Sequence, residues 1–361
     1  MEFNDNDSNI AAVREAYGKG NLTLYLGAGV SIANGLPPWD KLVLAMYFAA
    51  ISQQSMGGWR PFPNYLFAIA EWHLSRFHEP LEITARRIRK YYPTDSDFLE
   101  NLRQTLYAGY FYPESARFEP LKLEELRNAN RTLDAVARIC ERSVINTKGA
   151  RAVITYNYDE LLETALGMFP FQTFWKPTST VLEKLPIYHV HGFVPIEAGQ
   201  GSEPEEIVFT EEQYHLAAYD AYSWSNLVQI QNMSSSVGLM IGLSLSDRNM
   251  RRLLNAIVSL PHHPTHYALL QAPKWQAPSE AELDDINAKA IEYKKRFEKS
   301  GVKKPDIKSK PNSQIKGIIK EVERLDIEQQ AFLLNQLGVR PIWYKDHNTD
   351  IPKIIDKILA E

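Results

Sequence analysis

The sequence predicts an α/β protein, a mostly parallel sheet flanked by helices and interrupted by a large helical insertion. Three observations support that class. Short apolar runs alternate with stretches of helical periodicity, and Val237–Ile241 is apolar throughout, as in strands buried on both faces. Two other runs end in polar side chains: Ile154-Thr155-Tyr156-Asn157-Tyr158-Asp159 and Tyr188-His189-Val190-His191-Gly192-Phe193. At the C-terminal end of a parallel strand such side chains reach the crevice where open α/β sheets bind ligands. A third run, Leu24-Tyr25-Leu26, leads into Gly27-Ala28-Gly29-Val30-Ser31, a loop of phosphate-binding type.

The elements follow in chain order. Residues 9–19 read as a short helix and Leu22–Leu26 as the first strand. Segment 31–40 contains Asn34-Gly35 and Pro37-Pro38, so it is a loop that enters a helix near Trp39. From 41 to 145 the chain is mostly helical, with apolar residues at helical spacing over 42–51, 65–74, 98–107 and 133–144. Strands are then expected at 152–155, 187–190, Val237–Ile241, 267–270 and Val339–Tyr344. Helices are expected at 160–166, from Asn249 onward, over 315–337 and over 351–359. The apolar run 207–209 precedes a helix carrying Tyr214 and Tyr219. Residues 298–314 are rich in lysine and proline and read as an exposed loop. No aromatic residues interleave those lysines, as a nucleic-acid surface would require. The whole reads as one domain over 1–361, its sheet completed by 315–361.

Composition narrows the classes. The chain has 361 residues, 44% hydrophobic and 23% charged, enough apolar material for a large core. A net charge of −4 gives no global basis for nucleic-acid binding. Cys140 is the single cysteine, which excludes an intrachain disulfide and any zinc site built on two or more cysteines, and fits a reducing compartment. The opening residues are acidic and polar, unlike a signal peptide, and no apolar run approaches the ~20 residues a membrane span needs. A cytoplasmic protein without a membrane partner is expected.

Four clusters could carry chemistry. Gly27, Ala28 and Gly29 allow backbone N–H groups to approach a phosphate, or they form a plain tight turn; Ile32 replaces the third glycine of the dinucleotide fingerprint. Ser31 offers a hydroxyl to a phosphate or ribose, or caps a helix. Asn157 can hold a water or a sugar hydroxyl, since it both donates and accepts. Asp159 either shares that site or caps the following helix. His191 is placed to act as a base near neutral pH or to polarise a ribose hydroxyl. His189 shares its strand face only if the strand runs through both, and Gly192 is expected to end it at His191. Gly242-Leu243-Ser244-Leu245-Ser246-Asp247 repeats the pattern, with Ser244 and Ser246 near a ribose position and Asp247 as a cap. Arg248, Arg251 and Arg252 read as surface charges. No nucleophile elbow and no Walker A sequence occurs.

These pieces, in this order, resemble the sirtuin superfamily. Its Gly-Ala-Gly-x-Ser loop, Asn-x-Asp and His-Gly strand ends and later Gly-x-Ser loop correspond to Gly27-Ala28-Gly29-Val30-Ser31, Asn157-Tyr158-Asp159, His191-Gly192 and Gly242-Leu243-Ser244. The likeness spans about residues 20–270. Two departures separate the chain from the protein deacylases: it lacks the four-cysteine zinc module, and Leu36-Pro37-Pro38-Trp39-Asp40 stands where Pro-Asp-Phe-Arg would be. The helical insertion, Val208-Phe209-Thr210-Glu211-Glu212-Gln213-Tyr214 and Ser244-Leu245-Ser246-Asp247-Arg248-Asn249 instead resemble bacterial sirtuin-like effectors of anti-phage defence, which deplete NAD⁺.

The resemblance implies a Rossmann-like sheet and an NAD⁺ glycohydrolase that consumes NAD⁺ as substrate and uses no metal. It implies Asn157, His191 and Asp159 as catalytic residues. Gly27, Ala28, Gly29, Ser31, Gly242 and Ser244 would bind the dinucleotide. It further implies a homo-oligomer regulated by a separate partner such as a HerA-type ATPase or an Argonaute, with no direct nucleic-acid contact. The alternatives are a non-catalytic sensor of NAD⁺ or ADP-ribose and a zinc-free deacylase.

Overall fold

Five consecutive buried residues, Leu22–Leu26, form β1 at the centre of a seven-stranded sheet. The computed structural model describes residues 6–55, 71–74, 76, 79–108, 123–145, 148–179, 183–197, 201–273, 277–299 and 311–360. The other strands are β2 (Ala150–Thr155), β3 (Phe171–Phe174), β4 (Leu185–His189), β5 (Val237–Ile241), β6 (His266–Gln271) and β7 (Val339–Tyr344). All pairs are parallel, and the order is β3-β4-β2-β1-β5-β6-β7. Without β3, this is the dinucleotide-binding order of a Rossmann-type fold. The winding reverses between β1 and β5, which opens a crevice beyond their C-terminal ends. Leu26 is in register with Thr155 on one side and Ile241 on the other, so Gly27, Tyr156 and Gly242 leave the sheet together.

The chain divides into two compact units, Met1–Gln271 with Gln336–Glu361, and Ala272–Asn335, whereas the sequence reading runs one domain to residue 361. In the first unit α1 (Asn6–Gly18) precedes β1. The insertion between β1 and β2 holds α2 (Trp39–Ser55), α3 (Leu81–Tyr91), α4 (Asp95–Leu106), α5 (Leu123–Ala129) and α6 (Arg131–Ile145). Part of the helix expected at 65–74 lies outside the described residues. Next come α7 (Leu161–Leu166), α8 (Glu211–Tyr219), α9 (Trp224–Ser235) and α10 (Arg248–Val258). The second unit contains α11 (Glu280–Lys299) and most of α12 (Asn312–Gln336), tied by Glu280 to Asn312 at 2.6 Å and to Lys316 at 2.9 Å. The first unit then resumes with β7 and α13 (His347–Leu359), which packs on α6 and α1.

The insertion meets the strand ends through buried aromatics. Phe98 of α4 lies 5.6 Å from Phe209 between ring centres. Tyr107 donates from its hydroxyl to the Val194 carbonyl at 2.8 Å and accepts from the Glu160 N–H at 3.1 Å. The first bond is buried and the second partly buried, and each satisfies a backbone group that would otherwise cost on the order of 1–3 kcal/mol when buried unpaired.

Several elements differ from expectation. β3 has only four residues, lies at the sheet edge and is half-buried for most of its length, so no period-two signal develops. Residues 207–209 form no strand; Ile207 and Phe209 are apolar because both fill the core. Charge-rich α11 had no expected counterpart. The expected loop over 298–314 lies mostly outside the described residues. No described helix is long and apolar enough to cross a membrane.

Candidate functional site

The glycine loop is shaped by contact between two backbones. Gly27 N–H donates to the Ile241 carbonyl and Gly29 N–H to the Gly242 carbonyl, both at 3.0 Å. A Cβ on Gly29 would fall 2.6 Å from the Gly242 Cα, so no larger residue fits. Gly242 has φ +69°, in the left-handed region that glycine occupies at little cost. The two glycine loops therefore close against each other at the point where the winding reverses. Of Gly27, Ala28 and Gly29, only Ala28 has an N–H without a partner among the described residues. The glycines thus serve close packing more than display of donors.

Ser31, Asn157 and Asp159 form one hydrogen-bonded group on this loop. Asn157 Nδ2 donates to the Gly27 carbonyl at 3.1 Å and to Ser31 Oγ at 3.2 Å. Ser31 Oγ in turn donates to both Asp159 carboxylate oxygens, at 3.1 and 2.9 Å. Asp159 Oδ1 also accepts from the Leu161 N–H at 3.1 Å, so its capping role and its place in the group coexist. Burial pushes the Asp159 carboxyl up to about 6, against the lowering by its hydrogen bonds. Burial likewise raises neighbouring Glu160 to about 7. Asn157 keeps one group free of these bonds, its side-chain carbonyl oxygen.

The two histidines separate in role. β4 ends at His189, which is buried; Nδ1 lies 3.0 Å from the Asn157 carbonyl and Nε2 lies 2.8 Å from Glu163 Oε1. A carbonyl only accepts, so Nδ1 carries a proton and His189 secures the Asn157 backbone. His191 follows in a turn and stands edge-on to Tyr156 and Tyr214, with ring centres 4.9 and 5.7 Å away. Its Nε2 is 3.6 Å from Asp247 Oδ2, too far for a hydrogen bond but close enough for electrostatic pairing. Burial lowers the His191 pKa from its ordinary value, and Asp247 opposes that shift.

The second glycine loop supplies Asp247. Its Oδ1 caps α10 by accepting from the Met250 N–H at 2.6 Å, while Oδ2 faces His191. Buried Leu245 has φ 57°, a strained conformation for a branched side chain. The Ser244 and Ser246 hydroxyls are exposed and bond each other at 2.7 Å. Arg251 donates to the Leu245 carbonyl at 3.2 Å, and Arg252 donates to Asn249 Oδ1 at 2.8 Å. Arg251 is partly buried and braces the loop, where a surface charge was expected; Arg248 and Arg252 are exposed as expected.

Sequence reasoning passed over several residues. Tyr156, whose hydroxyl donates to Gln229 Oε1 at 2.5 Å, sits inside a quoted motif beside Asn157. Tyr214 lies in a quoted stretch. Glu163, Asn130 and His347 carried no signal. Asn130 Nδ2 donates to the Val30 carbonyl at 2.7 Å, and His347 Nε2 lies 2.7 Å from the Gly29 carbonyl. Among the described residues no cluster of His, Cys, Asp and Glu could hold a metal ion.

A family model described as the SIR2-like domain matches residues 151–294. A solved structure from work on the "Structural Basis for the Mechanism and Regulation of Sir2 Enzymes" aligns over 99% of this chain and 98% of that chain. Its sequence identity is 14% and its TM-score is 0.39, too low to add to the fold described above. No curated protein matches the sequence. The matched segment carries Asn157, Asp159, His191 and the second glycine loop, and over these residues the chain is similar to the SIR2-like domain.

Proposed function

We propose that the chain is an NAD⁺ glycohydrolase, which cleaves NAD⁺ with water to nicotinamide, ADP-ribose and a proton. The observation that carries this reading is the Asn157–Ser31–Asp159 group, locked to the first glycine loop where the sheet winding reverses. The pyrophosphate and neighbouring ribose belong beside Gly27–Gly29 and the second loop, and the glycosidic bond beside Asn157 and His191. Nicotinamide leaves as a neutral molecule, so the site has chiefly to stabilise an oxocarbenium-like sugar and supply a nucleophile.

Each residue has a role that its environment supports. His191 is held neutral by burial and can accept a proton from water or a ribose hydroxyl. The free carbonyl oxygen of Asn157 accepts from that water or hydroxyl. Asp159, ionised above a pH of about 6, places negative charge in a dry setting where it favours a developing cation. The Tyr156 and Tyr214 rings shield His191 from solvent.

A time course of NAD⁺ with the purified chain tests the reading. Nicotinamide release is expected, with a loss of at least about a hundredfold in Asn157→Ala and His191→Ala. Undiminished cleavage in folded variants would sink the assignment. Saturable binding without nicotinamide release would identify a sensor, and consumption only with acylated peptide would identify a deacylase.

The biological reading follows the resemblance. The chain would be an NAD⁺-depleting effector of bacterial anti-phage defence, silent until it assembles with further copies and a partner such as a HerA-type ATPase or an Argonaute. Support comes from the defence-like stretch 208–214, which folds as the capping box of α8 and carries Tyr214 to the edge of His191.

A further inference from the structure

We propose that His347 is a positioning residue for the dinucleotide loop, a clamp through which the last strand and helix of the chain set the shape of the substrate site. His347 Nε2 lies 2.7 Å from the Gly29 carbonyl, and its Nδ1 lies 3.0 Å from the Tyr344 hydroxyl. The directions follow from the partners. A carbonyl only accepts, so Nε2 carries a proton; in the neutral ring Nδ1 is then a lone pair, which accepts from Tyr344. The imidazole is held in one tautomer between a fixed donor and a fixed acceptor.

Its anchorage is rigid. Tyr344 ends β7, and His347 opens α13, whose N-cap Asp346 accepts from the Thr349 N–H at 2.9 Å. Thr132 of α6 donates to the His347 carbonyl at 3.2 Å. Gly29, for its part, is gripped on both sides: its N–H bonds the Gly242 carbonyl at 3.0 Å, and its own carbonyl takes the His347 bond. A peptide unit moves as a plane, so fixing the Gly29 carbonyl also fixes the Val30 N–H, which donates to the Gly27 carbonyl at 3.0 Å. Ser31 comes next, with its hydroxyl on Asp159. Release of the clamp lets this peptide rotate and loosens the dinucleotide loop. His347 belongs to no quoted motif and touches none of Asn157, Asp159 or His191, so its effect falls on substrate binding rather than on bond cleavage.

This inference rests on the NAD⁺ reading, and the test separates the two. Kinetics of NAD⁺ cleavage are measured for His347→Ala, His347→Gln and Tyr344→Phe, alongside amide hydrogen exchange across residues 27–31. In His347→Ala the KM is expected to rise about tenfold, the scale of one lost hydrogen bond, with kcat within about twofold. Loop exchange should quicken by a similar factor. His347→Gln places an amide N–H near the position of Nε2 and should restore both quantities to within about threefold of wild type. Tyr344→Phe keeps the histidine and should shift both in the same direction by less. Unchanged KM and exchange in His347→Ala would overturn the proposal. So would equal damage in the alanine and glutamine variants, which would mark His347 as a packing residue only. If the wild-type chain neither binds nor cleaves NAD⁺ while exchange follows the expected order, the clamp stands and the NAD⁺ reading falls.

Discussion

Replacing Asp159 by Asn removes a buried charge while keeping an oxygen that can accept from the Leu161 N–H. Burial raises the folded-state pKa of Asp159 from 3.8 to about 6, so the folded chain holds this proton more tightly than the unfolded chain does. Stability from this group is therefore greatest at low pH, falls as pH rises between those values, and is level above them. The full difference is about 3 kcal/mol, because each tenfold change in proton affinity is worth about 1.4 kcal/mol. From about pH 5 to about pH 8 the remaining fall is about 1.4 kcal/mol, because much of the titration window lies below pH 5. The Asp159→Asn chain lacks that fall. Its unfolding free energy relative to wild type should therefore increase by about 1.4 kcal/mol across the same range. Any pH-independent loss from altered hydrogen bonds appears only as an offset. Glu160, which Asp159 helps to raise, shifts toward its ordinary value in the variant and adds to the trend in the same sense. Urea unfolding of both proteins, followed by tryptophan fluorescence at several pH values, measures the difference. A difference that stays flat with pH would refute the burial of this carboxylate as the cause.

Two further substitutions address the neighbouring elements. Gly29→Ala should destabilise the fold by about 1–3 kcal/mol in thermal or urea unfolding and abolish nicotinamide release, because the added carbon meets backbone that cannot rotate away. Wild-type stability in that variant would contradict the close approach of the two glycine loops. Asp247→Asn keeps the cap on α10 but removes the charge that raises the His191 pKa. Of the groups facing His191, Tyr156 and Tyr214 remain neutral because burial raises both, so the acid limb of the pH–rate profile should move to lower pH. A limb that stays in place would show that His191 does not govern it.

Parts of the site lay open to sequence reading because they are local. A glycine turn after a buried strand, and polar residues directly after two others, can be recognised within windows of a few residues. β1, β5 and β7 matched their structural bounds, since each is a continuous apolar run. β3 did not register, because four edge residues, three of them half-buried, carry neither an apolar run nor a strict alternation. Local patterns also left paired alternatives open. Asp159 could be a cap or a site residue, and in the folded chain it bonds both the helix it caps and the loop serine.

By itself, the sequence determined the α/β class, the strand ends that carry polar groups and the lack of a cysteine-based zinc site. Those properties follow from composition and short-range periodicity. Tertiary structure alone decided which polar atoms remain free. It engaged the Asn157 amide hydrogens with Gly27 and Ser31, turned His189 into a backbone support, and set Asp247 beside His191. It also brought His347 to Gly29 across 318 residues of chain. Hydrogen bonds and burial act through distance in space, and no periodicity along the chain encodes contacts between residues that distant in sequence.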